Sequence, residues 1–249
     1  MNATKLKGLG MWTNWQENVK SAMPNFAKSP IYVSQDSYPE EKFREVAKAV
    51  AELGPIDIEG KIRDSEFGAR VVETELGGVT RMWLDGNVEI DFIRRNLPGL
   101  QGMRVLDIGS GYGRLAVMLS PLVKSFTCID PVPISENICR FYTNKFSPAV
   151  KVLSIDEFVN SPAEFDLAIN THSWNECMLP QIEEWIDAIV ELKIPYLFTV
   201  SHGNSESAYK AWFNGSLPSF RPAIEKHFTL VKEEILAVEG NPHALWIRK

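Results

Sequence analysis

The run Val105-Leu-Asp-Ile-Gly-Ser-Gly-Tyr-Gly-Arg-Leu115 constrains the fold of this chain more than any other stretch. An apolar segment ends in an acid. Gly109, Gly111 and Gly113 then fall at alternate positions, and Leu115, Val117, Met118, Leu119 and Leu122 repeat at helical spacing. This is a strand, a tight glycine turn and a helix start. Such a turn brings the main chain close to a ligand and is expected to bare backbone N–H groups. The alternation continues downstream, with strands expected at 104–108, 125–130, 150–154, 165–170 and 196–201. Helices are expected at 112–122, 135–145 and 181–192, a further helical segment near 205–213, and two last strands near 228–238 and 243–247. Strands alternating with helices imply a doubly wound α/β sheet that binds ligands at the carboxyl ends of its strands.

The N-terminal part reads differently. Residues 1–39 are rich in turn formers and aromatics, among them Trp12, Trp15, Pro24, Phe26, Pro30 and Tyr32. A helix is expected over 40–53, where Phe43, Val46, Ala47 and Val50 share one face before Gly54-Pro55. Residues 70–76 and 79–84 are expected to form a hairpin about Gly77-Gly78, and 87–96 a short helix before Pro98-Gly99. The organisation expected is an arm and cap over 1–99 and a ligand-binding domain over 100–249.

The net charge is −6, and no basic patch stands out, which disfavours DNA or long RNA as a partner. Cys128, Cys139 and Cys177 form no C-x-x-C pair; two of them sit in apolar runs and read as small core residues, and a reduced, cytoplasmic setting is expected. No run approaches the roughly 20 apolar residues needed to span a bilayer, and no secretory signal is evident.

A dinucleotide fingerprint, G-x-G-x-x-G, would put its third glycine at Arg114. Here it stands at Gly113, giving Asp107-x-Gly-x-Gly-x-Gly. That pattern resembles motif I of the S-adenosylmethionine (SAM) dependent methyltransferases with a Rossmann-like fold. The resemblance implies a seven-stranded, mostly parallel sheet with an antiparallel last strand. It continues through Phe126-Thr-Cys-Ile-Asp130-Pro131, as motif II. There, an acid about 20 residues past the glycine turn accepts the ribose hydroxyls; the other reading is a solvated strand-end Asp. Asp156, in Leu153-Ser-Ile-Asp-Glu, either meets the adenine amino group with Ile155 against the ring, or caps a short helix. The resemblance implies cofactor contacts from Gly109, Ser110, Gly111, Gly113 and Asn170. Asp107 orders the loop, and Tyr112 either covers the methionine end or packs as a helix residue.

On the acceptor side the fourth strand runs into Asn170-Thr-His172-Ser-Trp174-Asn175-Glu176. The exocyclic N-methyltransferases carry Asn/Asp-Pro-Pro-Tyr/Phe here, so this string argues against amino methylation of a base. It is similar to the sugar O-methyltransferases of bacterial polysaccharide decoration, over roughly residues 80–200. A hydroxyl is a poor nucleophile near neutral pH, and imidazole titrates in that range, so His172 is the candidate general base. The bland alternative is a strand-end histidine satisfied by its neighbours. His202, after the fifth strand, and Glu176 are expected to join it, as a base with its orienting carboxylate or as a metal site. The carboxylates that hold a metal in the metal-dependent O-methyltransferases are missing, so no metal is expected. Trp83, Trp174 and Trp212 line an acceptor pocket or belong to the core.

The function expected is methyl transfer from SAM to a hydroxyl of a sugar, sugar nucleotide or other small polar acceptor. Two alternatives stand beside it. One is methylation of a carboxylate, phosphorus acid or amine of a small metabolite. The other is a SAM-binding interaction module whose Trp12, Trp15 and Tyr32 meet a partner or form a homodimer seam.

Overall fold

The computed structural model describes residues 1, 3–7, 25–28, 39–160, 163–203, 208–211, 218–236 and 240–249. It divides into two compact units, Trp15–Phe92 and Met1–Asn14 with Ile93–Lys249. The expected boundary lay between residues 99 and 100; the units part between Phe92 and Ile93, and residues 1–14 group with the larger.

In the smaller unit the helix Glu40–Leu53 buries Phe43, Val46, Ala47 and Val50, as its spacing predicts, and Gly54 ends it at φ 72°. A hairpin follows, β1 (Val71–Thr74) and β2 (Gly77–Thr80), with Thr74 opposite Gly77. The turn is therefore Glu75-Leu76, not the predicted Gly77-Gly78. Thr74 Oγ1 closes it by donating to the Gly77 carbonyl and accepting from Leu76 N–H. The second predicted strand also stops early. Residues 81–84 begin the helix Arg81–Asn96, because Thr80 Oγ1 accepts the Trp83 N–H and caps it. Trp83 is core: it is buried, and its indole N–H donates to the Asp57 carbonyl.

The larger unit contains, among the described residues, a seven-stranded sheet of order β5-β4-β3-β6-β7-β9-β8. The strands are β3 (Arg104–Ile108), β4 (Ser125–Ile129), β5 (Lys151–Leu153), β6 (Leu167–Thr171), β7 (Tyr196–Val200), β8 (Phe228–Ile235) and β9 (Pro242–Arg248). The first five run parallel, and β9 is antiparallel to both β7 and β8. The chain leaves β3 toward β4 on one side and later returns to β6 on the other. Their common border is a topological switch point, where sheets of this kind bind ligands.

Continuous apolar runs bury both faces of the central strands: Val105, Leu106, Leu167, Ala168, Ile169, Leu197 and Phe198 are almost wholly enclosed. Helices Arg114–Leu119, Pro133–Phe146, Ile155–Asn160 and Leu179–Glu191 connect the strands. The helix Ala3–Lys7 places Leu6 in the core with Ile182, Trp185 and Ile186, and Gln181 donates to the Leu6 carbonyl. At the amino end of the sheet Arg104 binds Asp166 through its backbone N–H, Nε and Nη2, each at 2.8 Å, and also pairs with Glu164. This clamp sets β3 against the start of β6.

Two further readings change. The predicted helix near 205–213 falls partly outside the described residues; within them 208–211 form a turn, and Lys210 bridges to Ser219. The helix Arg221–His227, with Pro at its start, was not anticipated. Cys128, Cys139 and Cys177 are free and buried. Among the described residues no helix is long and apolar enough to cross a membrane.

Candidate functional site

At the carboxyl end of β3 all three alternate glycines adopt positive φ: Gly109 76°, Gly111 57° and Gly113 88°. The reason is partly close packing. A Cβ on Gly109 would collide with Ser173, and one on Gly113 would lie 2.8 Å from Thr143 Cγ2 and 2.9 Å from Cys139 Sγ. The glycines thus let the loop press on the turn after β6 and on the helix Pro133–Phe146.

The predicted bare N–H groups are corrected by the hydrogen bonds. Gly109 and Ser110 N–H both donate to the Ile129 carbonyl, Gly113 N–H to the Ser110 carbonyl, and Gly111 N–H to Asp130 Oδ2 at 3.0 Å. The loop uses these four donors internally because it is pinned to the end of β4. A phosphate-type anion finds few donors left here, which fits a ligand without pyrophosphate.

Asp130 is buried. Its Oδ1 accepts Val132 N–H at 2.9 Å and its Oδ2 accepts Gly111 N–H. Burial pushes its carboxyl up to about 7; the Val132 and Gly111 N–H groups pull it down, and the Glu136 carboxylate adds a smaller upward push. Each carboxylate oxygen keeps a further acceptor position for a ligand hydroxyl. Pro131 beside it is half-buried.

The other motif residues separate into two groups. Ser110 Oγ lies 3.7 Å from Cys139 Sγ. Asp107 is buried, and Tyr112 is buried edge-on to Tyr142 with ring centroids 5.1 Å apart. Tyr112 therefore takes the packing role of its two predicted ones. After β5, Ile155 is in the core and Asp156 is exposed. The capping reading of Asp156 is overturned. Ser154 and Glu157 cap that helix reciprocally, Glu157 N–H donating to Ser154 Oγ and Ser154 N–H to Glu157 Oε2. The same bonds hold the Glu157 carboxyl below its usual range.

Asn170 ends β6 as a brace. Its Nδ2 donates to the Ile108 carbonyl at 2.7 Å and to Ser173 Oγ at 2.6 Å, and its Oδ1 accepts Trp174 N–H. It ties β6 to β3 across the switch point and starts the 3-10 turn Ser173–Glu176. Trp174 is core, edge-on to Phe220. Trp212, Trp12, Trp15 and Tyr32 lie outside the described residues.

His172 precedes that turn at φ 66°, unusual for a residue with a Cβ. Its N–H donates to the Val200 carbonyl at 2.7 Å, and its own carbonyl accepts Asn175 N–H. This backbone arrangement stacks its ring on His202, with centroids 4.1 Å apart and planes 21° from parallel. The second partner is held by Asn175, a residue the sequence reading quoted without assigning a role. Asn175 Oδ1 accepts His202 N–H and its Nδ2 donates to the Lys210 carbonyl. Its polarity three residues after His172 was the available signal; its near-complete burial and its reach to His202 were not visible.

Glu176 does not complete a triad with the two rings. Among the described residues no three His, Cys, Asp or Glu side chains gather as they would around a metal ion. Its Oε2 is buried and has no hydrogen-bond partner among the described residues. Burial, and then the Asp130 carboxylate, push the Glu176 carboxyl well above its usual range.

These features define an α/β protein of the Rossmann-like methyltransferase fold, with its candidate site at the β3–β6 switch point. No family model matches the chain, and no curated protein matches it. Solved structures do match. The N-methyltransferase NodS from Bradyrhizobium japonicum WM9, in complex with S-adenosyl-L-homocysteine (SAH), is 18% identical over 68% of this chain and 88% of its own, with a TM-score of 0.51. Magnesium protoporphyrin IX methyltransferase (ChlM) from Synechocystis PCC 6803, with bound SAH, is 12% identical over 70% and 90%, at 0.50. The [4+2]-cyclase SpnF is 14% identical over 67% and 82%, at 0.51. The presence of a cyclase among these neighbours means that the shared fold leaves the chemistry to the residues of the site.

Proposed function

We propose that this protein binds SAM at the β3–β6 switch point and transfers its methyl group to a hydroxyl of a sugar or another small polar acceptor. The carrying observation is the bond from Gly111 N–H to Asp130, which joins the glycine turn to a buried acid at the end of β4. This is the pairing of motifs expected for an adenosine cofactor, and two of the neighbours of this fold carry SAH.

The residues present fit that group. Asp130 offers its remaining acceptor positions to the ribose hydroxyls, and the exposed Asp156 meets the adenine edge. The internally bonded glycine loop suits a cofactor without phosphates. When bound, SAM supplies a methyl group activated on a sulfonium. The chain's own contribution is positioning, exclusion of water, and proton removal. His172 accepts the acceptor hydroxyl's proton. His202 stacks on the His172 ring, and Asn175 holds the His202 backbone N–H. Backbone strain of about 1–3 kcal/mol at His172 is of the kind that persists where a surrounding network holds a working group in place. General-base assistance of this type accelerates a reaction by about 10²–10⁴-fold.

The test is calorimetry with SAM and SAH on the purified protein, followed by a screen for SAH release over nucleotide sugars, glycosides and small acids. Micromolar binding of SAH, and turnover with a hydroxyl acceptor, is the expected result. Absence of binding by either compound rejects the reading.

A further inference from the structure

Asn175 is almost wholly buried, and it joins three separate stretches of the chain. Its own N–H donates to the His172 carbonyl at 3.1 Å. Its Oδ1 accepts His202 N–H at 3.0 Å, and its Nδ2 donates to the Lys210 carbonyl at 3.0 Å. Both ends of the side chain thus meet main-chain groups, one a donor and the other an acceptor. Among side chains of this length only an amide does both. A carboxylate would set a second acceptor against the Lys210 carbonyl, and an apolar side chain would leave an N–H and a C=O without these partners.

The main chain on either side of His202 is held too. Ser201 N–H donates to the Pro242 carbonyl and Gly203 N–H to Asn241 Oδ1, both at the entry to β9. The bond between them, to Asn175, ties His202 to the turn that follows His172. The third stretch, 208–211, is anchored from the far edge of the sheet. Tyr209 is buried, and its hydroxyl donates to Glu233 Oε1 on β8 at 2.6 Å. Arg221 donates to both oxygens of Glu233 and lies over the Tyr209 ring, 5.1 Å from its centroid. The Tyr209 carbonyl accepts Phe220 N–H at 2.8 Å. Burial, and then the bond to Glu233, push the Tyr209 phenol upward, so it remains a donor at neutral pH. Tyr209 turns the chain at φ 62°, and the next carbonyl is the one that Asn175 meets.

We infer that Asn175 is a positioning residue for the His172–His202 pair, and that through it the 208–211 segment, anchored at Tyr209, sets the stacking of the two rings. The inference rests on the reading of His172 as the base for methyl transfer. A base works only within hydrogen-bond reach of the proton it takes, so a displaced ring costs rate without costing cofactor affinity.

The test is proton NMR of the ring signals of the four histidines, assigned with single His→Gln variants, in wild type, Asn175→Ala and Tyr209→Phe. Each ring of a face-to-face pair shields the protons of the other. In Asn175→Ala the His172 and His202 signals are expected to move downfield together, while that of His227, which precedes β8, stays in place. In Tyr209→Phe, which loses only a hydroxyl, the same two signals move the same way by less. With the nucleotide sugar or glycoside that releases SAH, kcat falls about 10- to 100-fold in Asn175→Ala, and SAM affinity stays within a few-fold. Unmoved His172 and His202 signals in Asn175→Ala overturn the positioning role, as does an equal movement of His227, which would mean general loosening. Unmoved signals in Tyr209→Phe overturn the part given to 208–211. If Asn175→Ala does not fold, Asn175→Asp replaces it: it keeps the acceptor for His202 and loses the donor to Lys210, and ring signals like those of wild type overturn the inference. Signals that move as expected, in a protein that binds neither SAM nor SAH, reject the methyl-transfer reading alone.

Discussion

The imidazole rings of His172 and His202 lie nearly parallel, with centroids 4.1 Å apart, although they follow different strands of the sheet. His172 reaches this position only through a left-handed backbone, held from one side by the Val200 carbonyl and from the other by Asn175 N–H. Either ring alone is a common strand-end histidine. Stacked beside the switch point, they form a unit in which one ring can be positioned by the other.

If His172 is the base, His172→Gln lowers kcat by about 10²-fold or more while SAM affinity stays within a few-fold of wild type. His202→Ala, which removes a support and not the base, lowers kcat less and leaves the ring of His172 able to work. Rate against pH for the three proteins checks this. A His172→Gln variant with near-normal turnover removes His172 from the mechanism and favours an acceptor that needs no deprotonation.

The buried Asp130 makes the stability of the unliganded protein depend on pH. Its folded pKa, about 7, lies above the ordinary carboxylate value of 3.8. Between those limits the native state holds more protons than the unfolded chain, so stability falls as pH rises through that window, by about 4 kcal/mol at most. Asp130→Asn is expected to flatten the slope, an effect read from denaturation midpoints between pH 4 and 8. The neighbouring Glu176 and Glu136 remain in the variant and set its residual slope. Cofactor affinity runs the other way: it rises with pH in wild type as Asp130 ionises, and it is weak and flat in Asp130→Ala.

Gly109→Ala tests the packing account of the glycine turn. The new Cβ meets Ser173, 2.5 Å from its Cβ, at a φ of 76° that L residues avoid. Strain and overpacking together predict a loss of about 2–4 kcal/mol in a urea titration. At Gly111, whose φ is 57°, Val is expected to abolish the thermal shift produced by SAM with less damage to folding. A full shift in Gly111→Val would separate the loop from the ligand.

Turnover is expected to survive EDTA, since the chain lacks, after its fourth and fifth strands, the carboxylates that hold a metal in the metal-dependent O-methyltransferases. Loss on chelation, with recovery on one divalent ion, would recruit His172 and His202 as ligands and displace the general-base account.

Much of this protein is written in local pattern. The apolar runs of β3, β4, β6 and β7 specify buried parallel strands, and glycines at alternate positions specify a turn of positive φ, because both depend on backbone sterics and near neighbours. The helix Glu40–Leu53 follows from the spacing of its four buried residues. The hairpin turn and the start of the helix at Arg81 did not follow, because Thr74 and Thr80 each place a hydroxyl that redirects a run of high β-propensity. Tertiary structure alone decided the rest. It is the end of β4 that consumes the glycine loop's donors, and the contact of β3 with β6 that turns Asn170 into a brace. The burial of Asp130, its field on Glu176, and the stacking of His172 on His202 arise from chain segments far apart in sequence. Whether a donor is free or a carboxylate desolvated is set by what packs against it, and no residue carries that information by itself.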